Sequence, residues 1–253
     1  YPGQRQSGME LAGAEQLTHR GRKDIYEYVE SHGEVRERAA RTALGMDRRE
    51  FGHHVTILKR DGLLTETDAG HLQVAYDGTD EAEHESDGVT FSIRQARQSD
   101  ITGLIGVMRE AIDEETYVVA ESVADMIDHE EVLLRHNEVE TRMFFVACVE
   151  EDVVGWVHVA HPEVEKLAHT AELTVGVLEA YRGHGIGSQL LQRGLDWARE
   201  QGYEKIYNSA PSTNERAIRF LEDHGWEDEA RREDHYLIDG EYVDEGMLAI
   251  ILE

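Results

Sequence analysis

The sequence predicts an α/β chain: a mixed, mostly antiparallel sheet with helices on both faces, behind a small separate helical unit. Three observations carry that expectation. From residue 89 onward, strand-like and helix-like patterns alternate along the chain. A turn with glycine at every second position (Gly183, Gly185, Gly187) joins the strand-like "AELTVGVL" to a helix-like apolar pattern. Finally, the acidic stretch "YDGTDEAEHESDG" at 76–88 has no apolar periodicity and divides two parts of different charge.

The division is expected to give an N-terminal extension (1–13), a helical unit (14–78), an acidic linker (79–88) and a main domain (89–253). The net charge is -28, from 53 acidic and 25 basic residues. Residues 1–75 hold 11 basic and 12 acidic side chains, leaving 14 basic against 41 acidic for the rest. The only lysines are Lys23, Lys59, Lys166 and Lys205. A folded, acidic, lysine-poor chain suits a cytoplasm of molar salt, where the Debye length is about 3 Å and self-repulsion costs little. In this respect the composition resembles that of haloarchaeal proteins. One cysteine, Cys148, excludes an internal disulfide and a cysteine zinc cage, and no metal site is expected. No stretch is long and apolar enough for a membrane span, so a cytoplasmic location is the expectation.

In the first unit, "RKDIYEYVESHG" puts Ile25, Tyr28 and Val29 on one helical stripe that stops at Gly33. "VRERAARTALG" follows, ending at Gly45. "DRREFGHHVTILKRDG" opens on an Asp47 cap and aligns Phe51, Val55 and Leu58. "LLTETDAGHLQVAY" then reads as two short strands about a turn at Asp68-Ala69-Gly70. Three helices and a hairpin resemble a winged helix-turn-helix. That resemblance implies DNA binding, with Arg48, Arg49, His53, Lys59 or Arg60 near phosphates or bases. Winged helices also dock proteins and form homodimers, and molar salt weakens the electrostatic part of DNA binding, so both readings stay open. His53 and His54 are read as a polar helix face, because adjacent helical positions diverge.

The main domain reads β-α-α-β-β-β-α-β-α-β-β. "VTFSIRQA" is a strand; "DITGLIGVMREAIDE" and "SVADMIDHEEVLLRH" are helices; "RMFFVACVEEDVVGWVHVAH" is a hairpin. "TAELTVGVL" leads into the glycine turn and the helix "GSQLLQRGLDWAREQG". The short strand "KIYNSA", the helix "NERAIRFLEDHG" and the hairpin "HYLIDGEYVDEGMLAIIL" complete it. Glycines at 183, 185 and 187 leave the backbone bare where a strand meets a helix, so amides from Gly183 to Ser188 can converge on an anion at the helix's positive end. A Walker loop would need Gly-Lys-Ser/Thr, and a dinucleotide fold Gly-x-Gly-x-x-Gly with an acidic residue closing the next strand. Neither pattern is met.

Arg182-Gly183-His184-Gly185-Ile186-Gly187 matches the arginine-x-x-Gly-x-Gly signature, and "VGVLEAYRGHGIGSQLL" and "NERAIRFLEDHGW" resemble two successive segments of the GNAT acetyltransferase superfamily. The resemblance covers 89–253. It implies the GNAT acyl-CoA N-acyltransferase fold and acetyl-CoA-dependent acetylation of a primary amine, on a protein N-terminus, a lysine or a small molecule. By the same resemblance, the amides of Gly183, His184, Gly185, Ile186, Gly187 and Ser188, with Arg182, hold the coenzyme's pyrophosphate. The backbone of Val175 and Val177 receives the pantetheine arm, and Asn214 binds near it, although Asn214 also reads as a helix cap. Glu172 is the candidate base; a solvated surface glutamate is the competing reading. The family's acid is often a tyrosine at the position of Leu221, which donates no proton; Tyr207, Tyr236 or a water is then left to substitute, or the thiolate to leave unassisted. Segment 114–122, with Glu114 and Glu115, and the hairpin at 235–246, with Asp244, should wall the acceptor. The competing function is a DNA-binding regulator that uses the same fold to sense acetyl-CoA.

Overall fold

The computed structural model describes residues 19–60, 63–67, 69–75, 81–86, 88–114, 118–136, 141–161 and 165–252. The N-terminal unit holds α1 (Arg20–His32), β1 (Glu34–Val35), α2 (Glu37–Ala43), α3 (Arg48–Arg60), β2 (Leu64–Glu66) and β3 (Leu72–Val74). Its strands form an antiparallel sheet in the order β1-β3-β2. The apolar stripes meet in a core of their own, with Ile25 and Val29 from α1, Phe51, Val55 and Leu58 from α3, and Leu64, Leu72 and Val74 from the sheet. Gly33 ends α1 at φ 69°, and Asp47 Oδ1 accepts from the amides of Arg49 and Glu50 at the start of α3. The short strand β1 has too few residues for alternation to register in the sequence. Asp68 of the expected turn lies outside the described residues. His54 corrects the expected polar face: only His53 is exposed, while His54 is buried against Gly21 and the His19 ring.

The second domain comprises β4 (Ala82–Ser86), β5 (Val89–Gln95), α4 (Ile101–Glu114), α5 (Val118–Glu130), β6 (Arg135–His136), β7 (Thr141–Val149), β8 (Asp152–His161), β9 (Thr170–Val177), α6 (Ile186–Glu200), β10 (Lys205–Pro211), α7 (Glu215–Asp223), β11 (Glu227–Ile238) and β12 (Glu241–Ile251). The sheet runs β11-β12-β10-β9-β8-β7-β5-β4, with β6 beside β7. Every described pairing in it is antiparallel except β9 with β10.

The structure departs from the expected pattern at three places. Within the expected linker, Ala82–Ser86 pairs with β5 as an edge strand. Its side chains stay at the surface, so it carries no apolar alternation to betray it. The second helix stops at Glu130: Glu131 adopts φ 55°, and Val132 to Leu134 run on as buried, irregular chain into β6. The closing hairpin starts at Glu227, eight residues early, because most of β11 is exposed and polar.

One face of the sheet is covered by α6, whose Ile186, Leu190, Leu191, Leu195 and Ala198 are buried. Gly194 permits the close approach: a Cβ there would lie 2.8 Å from Val157 and 3.0 Å from Leu173. The opposite face lies under α4 and α5. There Trp156 crosses Gly176 so closely that a Cβ at 176 would come within 2.2 Å of the indole. Filling that space would force the ring out of a packed core, an overpacking cost of about 1–3 kcal/mol or more.

Candidate active site

The geometry of the site begins where β9 and β10 part. Three rungs join them, Thr170 with Lys205, Ala171 with Ile206 and Glu172 with Tyr207, and then the ladder stops. Just past the last rung the Asn208 side chain, not a backbone amide, reaches across: its Nδ2 donates to the Leu173 carbonyl at 2.6 Å. Leu178 N–H donates to Val154 on β8, so by strand alternation the backbone groups of Leu173, Val175 and Val177 turn toward the gap.

That gap opens into a cavity of about 440 Å³. Val175 and Val177 form one wall, Asn208 to Pro211 the other, and Val118 to Ala120 of α5 and Phe220 of α7 close over it. At its end lie Arg182, Gly183, Gly185, Gly187 and Ser188. Gly183 and Gly185 adopt φ 84° and 75°, a left-handed backbone that side chains resist. Among the described residues, no backbone carbonyl accepts from the amides of 183–188, and no side chain caps α6. Unpaired amides at a helix's positive end, bare of side chains, are an anion cradle. The residues present therefore fit a diphosphate.

The expected contributors to the cradle divide by what they offer. Arg182 lines the cavity, and its Nε donates to the Val177 carbonyl at 2.7 Å, which ties the loop to β9. His184 and Ile186 lie outside the lining; Ile186 is a core residue, so only its amide faces the loop. Ser188 Oγ pairs with His224 Nε2 at 2.9 Å, joining α6 to α7. Asn214 has both expected attributes: it lines the cavity, and its Oδ1 accepts from the Ala217 amide at 3.1 Å to cap α7. Leu221 is buried and lines the cavity, leaving no hydroxyl at that position.

Glu172 and Tyr207 sit beside the cavity, at the last rung before the gap. Burial, and then the negative charge of Glu245, pushes the Glu172 carboxyl up. Burial and then Glu172 push the Tyr207 phenol up, so it stays protonated at neutral pH. In the sequence Glu245 is one acid among many. It is 4% exposed, accepts from Tyr236 Oη at 2.9 Å and Arg232 Nη1 at 2.8 Å, and is also bonded to Ser209. Burial would raise its carboxyl, but the bonds from Ser209 and Tyr236 and the charge of Arg232 outweigh that and hold it low. The two carboxyls are thus driven apart, one kept ionised and the other made a stronger base.

Of the expected acceptor walls, Glu115 lies outside the described residues and the Glu114 side chain is likewise not described. Asp244 is spent inside the hairpin, accepting from Arg231 at 2.7 Å and from the Asp234 amide at 2.8 Å. In the N-terminal unit Arg48, Arg49 and His53 are exposed on α3. Lys59 instead pairs with Glu66 at 2.6 Å and Glu37 at 3.7 Å.

Three side chains near the gap are buried without a protein hydrogen-bond partner: His158 at both nitrogens, Thr174 at Oγ1 and Trp156 at Nε1. Such groups cost about 1–3 kcal/mol each when left unpaired, so their clustering calls for an explanation.

A strand ladder that opens beside a glycine-lined anion cradle at a helix start suits a ligand that carries a diphosphate and an extended arm. Residues 107–226 match the model of the acetyltransferase (GNAT) family, which marks that segment as an acetyltransferase domain. An N-alpha-acetyltransferase from Sulfurisphaera tokodaii is 29% identical over 168 residues, covering 61% of this chain and 90% of that protein. The fold is that of a GNAT-family acetyltransferase from Streptococcus pneumoniae, with TM-score 0.55 and 17% identity over 64% of this chain and 99% of the other. It is also that of a Salmonella typhimurium protein of acetyltransferase type solved with its cofactor acetyl-CoA, at TM-score 0.54 and 19% identity over 64% and 94%. Among the described residues, no group of three or more His, Cys, Asp or Glu could hold a metal, and no helix is long and apolar enough to cross a membrane.

Proposed function

We propose that this protein transfers the acetyl group of acetyl-CoA to the α-amine of a polypeptide N-terminus. The opened gap between β9 and β10 carries the reading, since it leaves backbone groups free along a cavity that ends at the amide cradle. The N-terminal choice of acceptor follows the Sulfurisphaera relative, of which 90% is covered. When bound, acetyl-CoA supplies an activated acetyl thioester. The amides of 183–188 and Arg182 would grip its diphosphate, and Val175 and Val177 would pair with the pantetheine arm as one more strand.

The chain's own residues then divide the work. Glu172 takes the proton that makes the amine nucleophilic, and its raised carboxyl suits that task. The Val175 amide, turned into the gap, donates to the carbonyl oxygen as negative charge develops there. Leu221 gives the leaving sulfur no proton. Tyr236 Oη is committed to Glu245, which leaves Tyr207 or solvent as the source.

Mass spectrometry of peptides incubated with acetyl-CoA should place the acetyl group on the α-amine and not on lysine Nζ. Turnover restricted to lysines or polyamines would overturn the choice of acceptor. Glu172→Gln should lower kcat by about 10²–10⁴-fold at pH 7 while leaving the KM for acetyl-CoA unchanged. Because the Glu172 carboxyl is raised, kcat/KM should fall with acidity at a pH above the ordinary glutamate range. Glu245→Gln removes the neighbouring charge and should move that limb to lower pH.

We read the N-terminal unit as a winged helix, since a hairpin follows a three-helix core. Exposed Arg48 and Arg49 favour its use as a docking face, whereas the two carboxylates on Lys59 weaken its claim on DNA phosphates. The acidic, lysine-poor composition favours a working environment of molar salt.

A further inference from the structure

Ser188 lines the cavity from the first turn of α6, and its Oγ lies 2.9 Å from His224 Nε2. His224 closes α7, and its Nδ1 lies 2.7 Å from the Phe220 carbonyl. A carbonyl oxygen has only lone pairs to offer, so Nδ1 carries a hydrogen and donates it. The ring also rests against the Phe220 ring, 4.4 Å between centroids, which fixes its place. What is left free is whether Nε2 carries a proton as well.

The two protonation states give Ser188 opposite characters. Beside a neutral imidazole, Nε2 is an acceptor, and the single hydroxyl hydrogen of Ser188 is spent on it. The serine oxygen then turns only lone pairs to the cavity, where a diphosphate is itself an acceptor. Beside an imidazolium, Nε2–H donates to Oγ, and the hydroxyl hydrogen is released toward the cradle. Charge acts in the same direction. The Phe220 carbonyl belongs to the last turn of α7, whose negative end favours a cation, whereas the positive start of α6 opposes one. A diphosphate seated on the amides of 183–188 offsets the second influence and leaves the first.

We propose that His224 positions the coenzyme through Ser188, and that His224 Nε2 takes up a proton when the diphosphate enters the cradle. The inference rests on the acetyl-CoA reading above. The proton comes from solvent, joins the Nε2 lone pair and leaves again with the coenzyme. No other covalent bond changes. Because the loaded form holds more protons than the empty one, the grip tightens as pH falls through the histidine range and slackens as it rises.

The surroundings leave this proton to the coenzyme. On α7 itself Glu222 and Asp223 are exposed, and α6 has no acidic residue in its first turn. Arg182 and Arg216 line the cavity. Strand β12 meets α7 at Ile218, more than a turn before His224, and its Glu245 is already paired with Arg232 and Tyr236. The other titratable group at the cradle is His184, whose Nδ1 is buried without a partner among the described residues.

The test is calorimetric titration of the full chain with acetyl-3′-dephospho-coenzyme A, which keeps the diphosphate and lacks the phosphate monoester that titrates at about pH 6. Between about pH 5.5 and about pH 8 the dissociation constant should rise about tenfold. Titrations near neutrality in buffers of different ionisation enthalpy should show proton uptake. His224→Gln should flatten the profile, because its neutral amide can donate to Ser188 at every pH. Ser188→Ala, a small change at a half-buried helix position that keeps the fold even if the first variant does not, should reduce the ratio to about threefold or less. His184→Gln should retain the full ratio and the uptake. A flat profile or no uptake in the natural chain would overturn the proposal. So would the full ratio in His224→Gln or Ser188→Ala, or its loss in His184→Gln alone. Failure of the coenzyme to bind at any pH would overturn the acetyl-CoA reading and this proposal with it.

Discussion

Helices α3 and α6 begin with the same chemical problem and solve it in opposite ways. Each leaves amides without intrahelical partners. At α3 the Asp47 carboxylate accepts from the amides of Arg49 and Glu50, so the start of the helix is closed by the protein's own charge. At α6 the cap position is Gly185, which has no side chain to offer, and the preceding Gly183 has open space around it. Helix α7 stands between them, since Asn214 satisfies the Ala217 amide and also lines the cavity. A helix start that supplies its own acceptor serves folding. One that withholds it is free to take an anion from outside.

The contrast breaks first at Gly187. Its Cβ would meet Phe220 and Val177 at 3.5–3.7 Å, ordinary contact, so the position tolerates some bulk without rebuilding the fold. Gly187→Leu should still fill the space before the cradle and weaken acetyl-CoA binding by roughly 100-fold, about 2.8 kcal/mol, in calorimetric titration. Unchanged affinity would mean that the open amides at α6 do not bind the diphosphate.

Asn214 sharpens the contrast by separating its two halves. Asn214→Ala should cost about 1 kcal/mol of stability through the lost cap, read as a lower melting temperature, together with a severalfold higher KM for acetyl-CoA. Asn214→Asp should recover the melting temperature, since aspartate caps as well, but not the KM. Recovery of both would make the residue a cap and nothing more.

The smallest effect belongs to Asp47. Asp47→Ala should leave acetyl transfer untouched and speed hydrogen exchange of the first amides of α3. The bonds from Glu50 and Arg49 hold the Asp47 carboxyl below its ordinary value. Its contribution is therefore fully present above the unfolded pKa and lost as pH falls through the lower folded one. The protected amides of α3 should lose their protection across that acidic window in the natural chain and show no such step in the variant.

How much of this was legible depends on whether the signal was local. The cradle was, because glycine spacing, a preceding strand and a following apolar stripe all lie within about twenty residues. Apart from β4 and the two-residue β6, the order of elements in the main domain was legible for the same reason, and so were the caps at Asp47 and Asn214. Edge strand β4 was not, because a strand with little to bury has no apolar alternation. His54 reads as polar by type, yet it is buried by α1, which lies far off in sequence. Glu245 is drawn out of a crowd of acids only by Arg232, Tyr236 and Ser209 converging on it. His158 sits in the apolar run "VVGWVHVAH", where it interrupts the pattern. Its partner Thr174 is set by the register of β8 with β9, which no single stretch of sequence reveals. Asn208 in "KIYNSA" was similarly silent, since its role is to reach another strand where the ladder ends.

The parting of β9 from β10 means that this enzyme folds with a seam left unsewn. Whatever lies in the seam as a surrogate strand becomes part of the architecture while it stays. Loaded and spent coenzyme would both mend it, so the chain's resistance to unfolding in the cell should follow the size of the coenzyme pool and not its acetylation state.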